Sequence, residues 1–402
     1  MPLQEPPPTS RMIVGVVAFC LFVDYLLYGV AMTLMAHAPG KIATEQDLAL
    51  LYGGYAASVL LTTPLFGYLG GRIGVRTTII CGAVLAACAT ALFGAAGNFF
   101  LSFAGRLCQG AASAAVWTGG LALVAEYYVH NRVEMIGYAF TGSTAGSVLG
   151  PVIGGVLYRA GGYRLPFIIT GILVAIEICL LVLFLPTQGR NRRGTIDIRA
   201  FLTNRSVVMC AVTVTLAAFA WGVIEPLLPT RLGRYGVKPE IIGLIFTASS
   251  VTYGFCAPLV GWVCARLPIR KVIVLGTIGM AATLPLLAAF QGSLLTCVTL
   301  CLINCTFAFM LNPASAELGN EVDQAGTSAY SGAYAIYNIV YSVGMLATTG
   351  LTSAAHSLGF LGVLLCVSVV LILCTPILLL AGSPRAAGLA SSGQRPGAAS
   401  SK

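Results

Sequence analysis

Apolar runs close to 20 residues long alternate with short polar or Gly/Pro-marked breaks from about Ile13 to about Leu380. A helix needs roughly 20 predominantly apolar residues to cross a hydrocarbon core of about 30 Å. Twelve spans are predicted on this basis, at 12–36, 48–70, 77–95, 98–122, 135–158, 165–186, 206–230, 240–264, 271–291, 293–315, 327–352 and 358–382. The longest polar interruption, "TQGRNRRGTIDIRAFLTNR", separates the sixth span from the seventh. It gives a tail at 1–11, an N-terminal six-helix bundle at 12–186, a basic linker at 187–205, a C-terminal six-helix bundle at 206–382 and a tail at 383–402. The expected fold is an all-α membrane protein with twelve transmembrane helices in two pseudo-symmetric bundles.

An internal repeat supports the division. "TPLFGYLGGRIGVR" (Thr63 to Arg76) and "APLVGWVCARLPIR" (Ala257 to Arg270) align without a gap at an offset of 194 residues. Pro64 matches Pro258, Gly67 matches Gly261, Arg72 matches Arg266 and Arg76 matches Arg270. Duplicated bundles with a central site are a common construction of secondary transporters, because rocking one half against the other exposes the site alternately.

Composition narrows the class. Of 402 residues, 57% are hydrophobic and 9% are charged, against about 25% charged in soluble domains, which excludes an ordinary soluble globular protein. The net charge of +9 raises nucleic acid as a partner, yet fifteen of the 22 Lys and Arg fall on segments sharing one side with the N-terminus. That is the positive-inside bias of a membrane protein with both termini cytoplasmic, and it removes nucleic acid from the expected partners. The 13 cysteines are scattered singly through apolar spans with no CxxC pair, so they read as small packing residues. "MPLQEPPPTSR" reads as a proline-rich tail rather than a signal peptide, leaving the first span as an anchor. No metal-ligand cluster, phosphate-binding loop or nucleophile–base arrangement is visible, and "GSTAGSVLG" lacks the strand–loop–helix context of a nucleotide fingerprint. No metal, cofactor, enzymatic chemistry or ATP-driven transport is expected.

An ionised side chain at mid-bilayer costs about 2.5–3.5 kcal/mol on insertion scales, so intramembrane acids are functional candidates. Asp24 lies about eleven residues into the first span, roughly 17 Å deep. Glu225 precedes Arg231 by about six residues, roughly 9 Å below the outer boundary, and reads either as a functional acid or as a glutamate reaching the surface. Pro226 disfavours helical geometry at Glu225, which predicts a broken helix beside a cavity. Glu177, in the sixth span, reads equally as functional or structural. Arg106, in the fourth, is either a bidentate partner for an acid or a structural pin. An empty, ionised carboxylate is unfavourable in low dielectric, so a proton or a cationic substrate must neutralise it in turn. That competition is the logic of antiport.

Tyr330, Tyr334, Tyr337, Asn338 and Tyr341 fall at helical spacings on one face of span eleven. With Tyr28, Tyr55, Trp117 and Trp221 they form either a pocket for an organic cation, held by cation–π contact, or ordinary helix packing. Gly142, Gly146 and Gly150 recur every fourth residue, which lets helix backbones approach closely, and the Gly150-Pro151 step predicts a hinge.

Several of these segments carry a resemblance. "GYLGGRIGVR" resembles the loop signature of the major facilitator superfamily, with Gly71 in place of the usual aspartate and Gly67, Arg72, Gly74 and Arg76 as its gating residues. "RLCQGAASAA" is similar to the superfamily's fourth-span motif. "GSTAGSVLGPVIGGVLY", with Gly146, Gly150, Pro151, Gly154 and Gly155, resembles the fifth-span signature of drug–proton antiporters. Within the superfamily the chain is similar to the vesicular amine transporter family, the proton-exchanging carriers of monoamines and acetylcholine: "LFVDYLL" matches its first span at Asp24, "IEPLLP" its seventh at Glu225, and "YSGAYAIYN" its eleventh, with Asn338 fifteen residues after Asp323. Tyr55 stands where that family has a lysine, Asn338 where it has an aspartate and Leu371 where it has an acid.

The resemblance implies a secondary active, proton-coupled antiporter that exports a small cationic or amphiphilic organic compound by alternating access. Its partners are then the substrate, protons and the lipid bilayer. A monomer in the plasma membrane is expected, or alternatively in an intracellular vesicle membrane. The competing readings are a symporter or uniporter for a neutral metabolite and a non-transporting membrane receptor.

Overall fold

The computed structural model describes residues 8–34, 45–95, 97–185, 201, 203–289, 292–327, 329–353 and 355–381, and among these it is helical with no strand. The tail predicted at 383–402, most of that at 1–11 and most of the linker at 187–205 lie outside the described residues. Twelve long helices follow in order: α1 (Pro8–Leu34), α2 (Glu45–Ile73), α3 (Val75–Gly94), α4 (Phe99–Tyr127), α5 (Arg132–Gly161), α6 (Arg164–Phe184), α7 (Arg205–Arg234), α8 (Pro239–Cys264), α9 (Ile269–Thr283, followed by the single turn Leu286–Ala289), α10 (Ser293–Gln324), α11 (Tyr330–Ser353) and α12 (Ala355–Ala381). Each matches one predicted span.

Local chemistry sets several of the ends. The Asn98 side chain accepts from Leu101 N at 2.9 Å to cap α4, and Asn204 accepts from Ser206 N at 2.9 Å to cap α7. Gly74, with φ 90°, is the single residue between α2 and α3, a left-handed conformation that disfavours other residues. α10 runs nine residues past its predicted end at 315, because Glu317, Glu321 and Asp323 are satisfied by neighbours and do not end the helix.

The break expected beside Glu225 is absent, and the helix with the expected Gly150-Pro151 hinge is also continuous. α7 is one helix through both Pro226 and Pro229, and α5 is one helix through Pro151. A proline removes one i→i−4 bond, and packing by neighbouring helices compensates. At α7 that neighbour is α11: a Cβ on Gly222 would lie 2.7 Å from Thr348 Cγ2. At α5 it is α1: a Cβ on Gly29 would lie 2.6 Å from Pro151 Cδ.

Helix packing obeys the internal repeat. In the first half α1 packs on α5, α2 and α3 on α4, and α3 on α6; in the second, α7 packs on α11, α8 and α9 on α10, and α9 on α12. Side chains repeat as well. Gly82 meets Ala115 and Val116, while Gly276, its counterpart 194 residues on, meets Phe309 and Met310 at the same offset. Arg76 donates to Val182 O at the end of α6 (2.7 Å), and Arg270 donates to Leu379 O at the end of α12 (2.8 Å).

The two bundles meet along α5 against α8, α2 against α11, and α4 against α11. Ten of the twelve helices, searched over the described residues, are long and apolar enough to cross a membrane; α2 and α11 are the two outside that set. These two helices face each other across the interface, where Asn338 Nδ2 donates to Thr63 Oγ1 at 3.3 Å. Polar groups that meet protein there are spared exposure to lipid.

Candidate functional site: a cavity shared by the two bundles

A cavity lies between the bundles. The first bundle contributes Tyr25, Trp117, Phe140, Ser143, Thr144 and Ser147 to its wall; the second contributes Trp221, Glu225, Tyr253, Asn304 and Phe307, with Tyr337 and Tyr341 from α11. Its rings form a nearly continuous surface. Tyr25 and Trp117 have centroids 5.6 Å apart, Trp117 and Phe140 5.8 Å, Phe140 and Tyr337 6.2 Å, and Trp221 and Phe307 5.4 Å. Such faces are negative in quadrupole and suit an organic cation or an amphiphilic ring.

Among the described residues Glu225 is the one carboxylate in this wall, and it is exposed on the cavity side. The sequence-based depth placed it near the outer boundary. α7, however, continues through Arg231 to Arg234, which leaves Glu225 nine residues, or roughly 14 Å, from the helix end. Pro229 also lacks the N–H that would bond the Glu225 carbonyl, so that backbone oxygen loses its helical partner.

Asp24 stands behind the wall. It is only 6% exposed, and its Oδ2 accepts from Ser113 Oγ at 2.8 Å and from Trp117 Nε1 at 3.1 Å. Tyr55 donates to the same Ser113 hydroxyl at 3.1 Å. The Trp117 indole therefore has one side on the cavity and its N–H on the buried acid.

The remaining predicted residues separate into groups. Arg106 is fully buried in the first bundle, donating from Nη1 to Gln109 Oε1 at 2.8 Å, with its Cζ 5.5 Å from the Tyr28 ring and 5.9 Å from the Tyr55 ring. Tyr28 and Tyr55 thus form an aromatic cage around that arginine and do not line the cavity. Glu177 is buried on α6 against Cys20 of α1, away from the wall. Of the α11 stripe, Tyr337 and Tyr341 reach the cavity, Tyr334 donates to Ser315 O at 2.7 Å, and Asn338 turns to α2. Trp221 lines the cavity beside Glu225.

The glycine motif seats α1 on α5. A Cβ on Gly142 would collide with Ala18 O and one on Gly146 with Phe22 O, while one on Gly150 would lie 2.8 Å from Leu26 O and one on Gly154 3.3 Å from Val30 Cα. Gly155 has open space at that position. Gly67 is pressed against Ala335 of α11 at 2.6 Å, and Gly70 against Ser331.

Those last contacts belong to a seal at the face that carries the α2–α3 turn. There Arg132, at the start of α5, reaches across to α10: Nη2 meets Asp323 Oδ2 at 3.0 Å and Nη1 donates to Asn320 Oδ1 at 2.5 Å. Its Nε donates to Ala125 O at 2.9 Å, and Tyr330 donates to Asp323. Arg132 is 2% exposed. Removing Asp323 would leave the buried Arg132 guanidinium short of its anionic partner, whereas the Asp323 side chain, 35% exposed, is partly hydrated. Glu225, Ser147 and Met345 line the cavity further toward the opposite face, away from these contacts.

Sequence reasoning did not single out Arg132, Ser113, Tyr253 or Asn304. Arg132 counted only as one more charge on the basic side. Asn304, a lone amide in the apolar run "LCLINCTFAF", was the most legible signal passed over.

Two pseudo-symmetric six-helix bundles around one shared cavity define a membrane transporter. The family comparison agrees: the profile described as Major Facilitator Superfamily matches residues 14–214 and again 210–401, and the chain belongs to that superfamily. Among its relatives are the "Probable vesicular acetylcholine transporter-B" of Danio rerio, 26% identical over 94% of this chain and 80% of the relative, and the "Chromaffin granule amine transporter" of Rattus norvegicus, 28% identical over 74% of this chain and 58% of the relative. The match thus spans most of the first relative and little more than half of the second. Two solved structures share the fold: the human organic anion transporter MFSD10 (TM-score 0.71, 16% identity) and the Escherichia coli fucose:proton symporter (TM-score 0.72, 15% identity), each covering 93% of this chain and all of the other.

Proposed function

We propose that this protein is a proton-coupled antiporter that moves a small organic cation or amphiphilic amine by alternating access. The carrying observation is that one aromatic wall has an acid on each side: Glu225 lines the cavity, while Asp24 lies behind Trp117 and accepts from its N–H. In this reading Glu225 is the counter-ion for the substrate and Asp24 the proton site. A ligand that shifts Trp117 alters the hydrogen bonding of Asp24, and the proton leaves as the cation is seated. The likeness to vesicular acetylcholine and chromaffin granule amine transporters supports the amine class.

The domain limits at 12–186 and 206–382, a monomeric state and a plasma-membrane location with both termini cytoplasmic remain part of the proposal, and the vesicular relatives support the vesicle-membrane alternative. With the basic face toward the cytoplasm, the sealed end is the cytoplasmic one, and the cavity opens to the exterior or lumen. Arg106 and Glu177 then serve the first bundle's internal order.

The test is a pH-gradient assay in proteoliposomes with a panel of organic cations. Proton release on cation addition supports antiport. Gradient-independent uptake of a neutral solute overturns it in favour of a uniporter, proton-accompanied uptake in favour of a symporter, and binding without flux in favour of a receptor.

A further inference from the structure

The internal repeat carries a second, exposed feature at the α2–α3 face. On α2, Tyr68 is 54% exposed and the Arg72 guanidinium sits 5.0 Å from its ring centroid. On α8, Trp262 is 55% exposed and the Arg266 guanidinium sits 3.7 Å from its ring centroid, with Nη1 donating to Trp262 O at 3.2 Å. Both pairs are one helical turn apart in sequence, and both are related by the offset of 194 residues. Neither arginine has an ion-pair partner among the described residues, and no Asp or Glu occurs in 63–76 or 257–271. Glu134, the acid near α8, packs on Gly261 and accepts from Tyr138.

We propose that each bundle carries one binding site for an anionic phospholipid headgroup, built from Tyr68 and Arg72 in the first and from Trp262 and Arg266 in the second. A guanidinium offers a planar fork that matches phosphate oxygens, and an exposed aromatic ring at the end of a membrane-spanning helix sits at headgroup level. The ring fixes the guanidinium in place, so less freedom is lost when a phosphate binds. Arg76 and Arg270, four residues on, are engaged with the carbonyls of α6 and α12, which leaves Arg72 and Arg266 as the outward cations of their repeats. Each basic residue near an anionic surface favours binding about fivefold. The partner is a lipid, so the proposal stands independently of the substrate.

The chain has three tryptophans, and Trp262 is the exposed one; Trp117 and Trp221 line the cavity. Full-length protein in phosphatidylcholine vesicles is titrated with brominated phosphatidylglycerol or with brominated phosphatidylcholine, and Trp262→Phe supplies the blank. The expected result is several-fold stronger quenching of Trp262 by the anionic lipid, reduced by salt and lost in Arg266→Gln but not in Arg72→Gln. A Tyr68→Trp reporter in the Trp262→Phe background shows the mirror-image dependence on Arg72. Equal quenching by the two headgroups, or a preference that survives Arg266→Gln, overturns the proposal and leaves the pairs as interfacial anchors only.

Discussion

Asp24 and Glu225 are both carboxylates within apolar helices, yet their surroundings differ. Asp24 accepts two hydrogen bonds and is shielded from the cavity; Glu225 is open to it, among rings and a few hydroxyls. Depth in the bilayer alone does not separate such roles. What separates them is whether a hydrated or cationic ligand can reach the oxygen, because a charge in low dielectric must be neutralised by whatever gains access.

The sharpest way to break this comparison is to remove each charge separately. Glu225→Gln is expected to lose substrate binding and flux by on the order of 100-fold, since it removes the cavity's charged contact. Asp24→Asn is expected to retain equilibrium binding of the cation within a few-fold while abolishing proton-driven accumulation in proteoliposomes. Binding lost from the second and kept in the first would exchange the two assignments.

Next in size is the seal. Arg132→Gln leaves Asp323 without its cation and is expected to expose the cavity from the α2–α3 face, measured as at least a tenfold rise in labelling of a cysteine introduced at Ser143 by an impermeant thiol reagent added from that side. Trp117→Phe keeps a ring in the wall and removes only the N–H to Asp24. A drop in proton-coupled flux of about tenfold, with cation binding changed much less, is expected from the loss of one charge-assisted hydrogen bond. The smallest effect belongs to Ser113→Ala, a few-fold loss of coupled flux with binding unchanged; an equal loss of binding would place Asp24 in contact with the substrate.

The twelve spans and the duplication were legible because hydrophobic run length and a gapless 14-residue match depend on local sequence alone. The continuity of α5 and α7 through their prolines was not, because tertiary packing by Gly29 and Gly222 decides it. The site was partly legible. Asp24, Glu225, Trp117, Trp221, Tyr337 and Tyr341 stand out in the sequence as acids and rings within apolar spans, but the sequence gives no sign that Tyr28 and Tyr55 turn to Arg106 while Tyr341 turns to the cavity. Which face of a helix meets a cavity depends on how the bundles lean together, and that information lies in pairs of residues far apart in sequence. Arg132 with Asp323, 191 positions away, is such a pair.

Ile73 closes α2 and Val75 opens α3, so Gly74 alone joins them, whereas Cys264 and Ile269 leave four residues between α8 and α9. The first bundle therefore turns its corner with no slack. Any tilt of α2 that lifts Gly67 and Gly70 from α11 must drag α3 along, and with α3 the helices α4 and α6 packed on it. One corner works as a stiff crank and its counterpart as a loose joint.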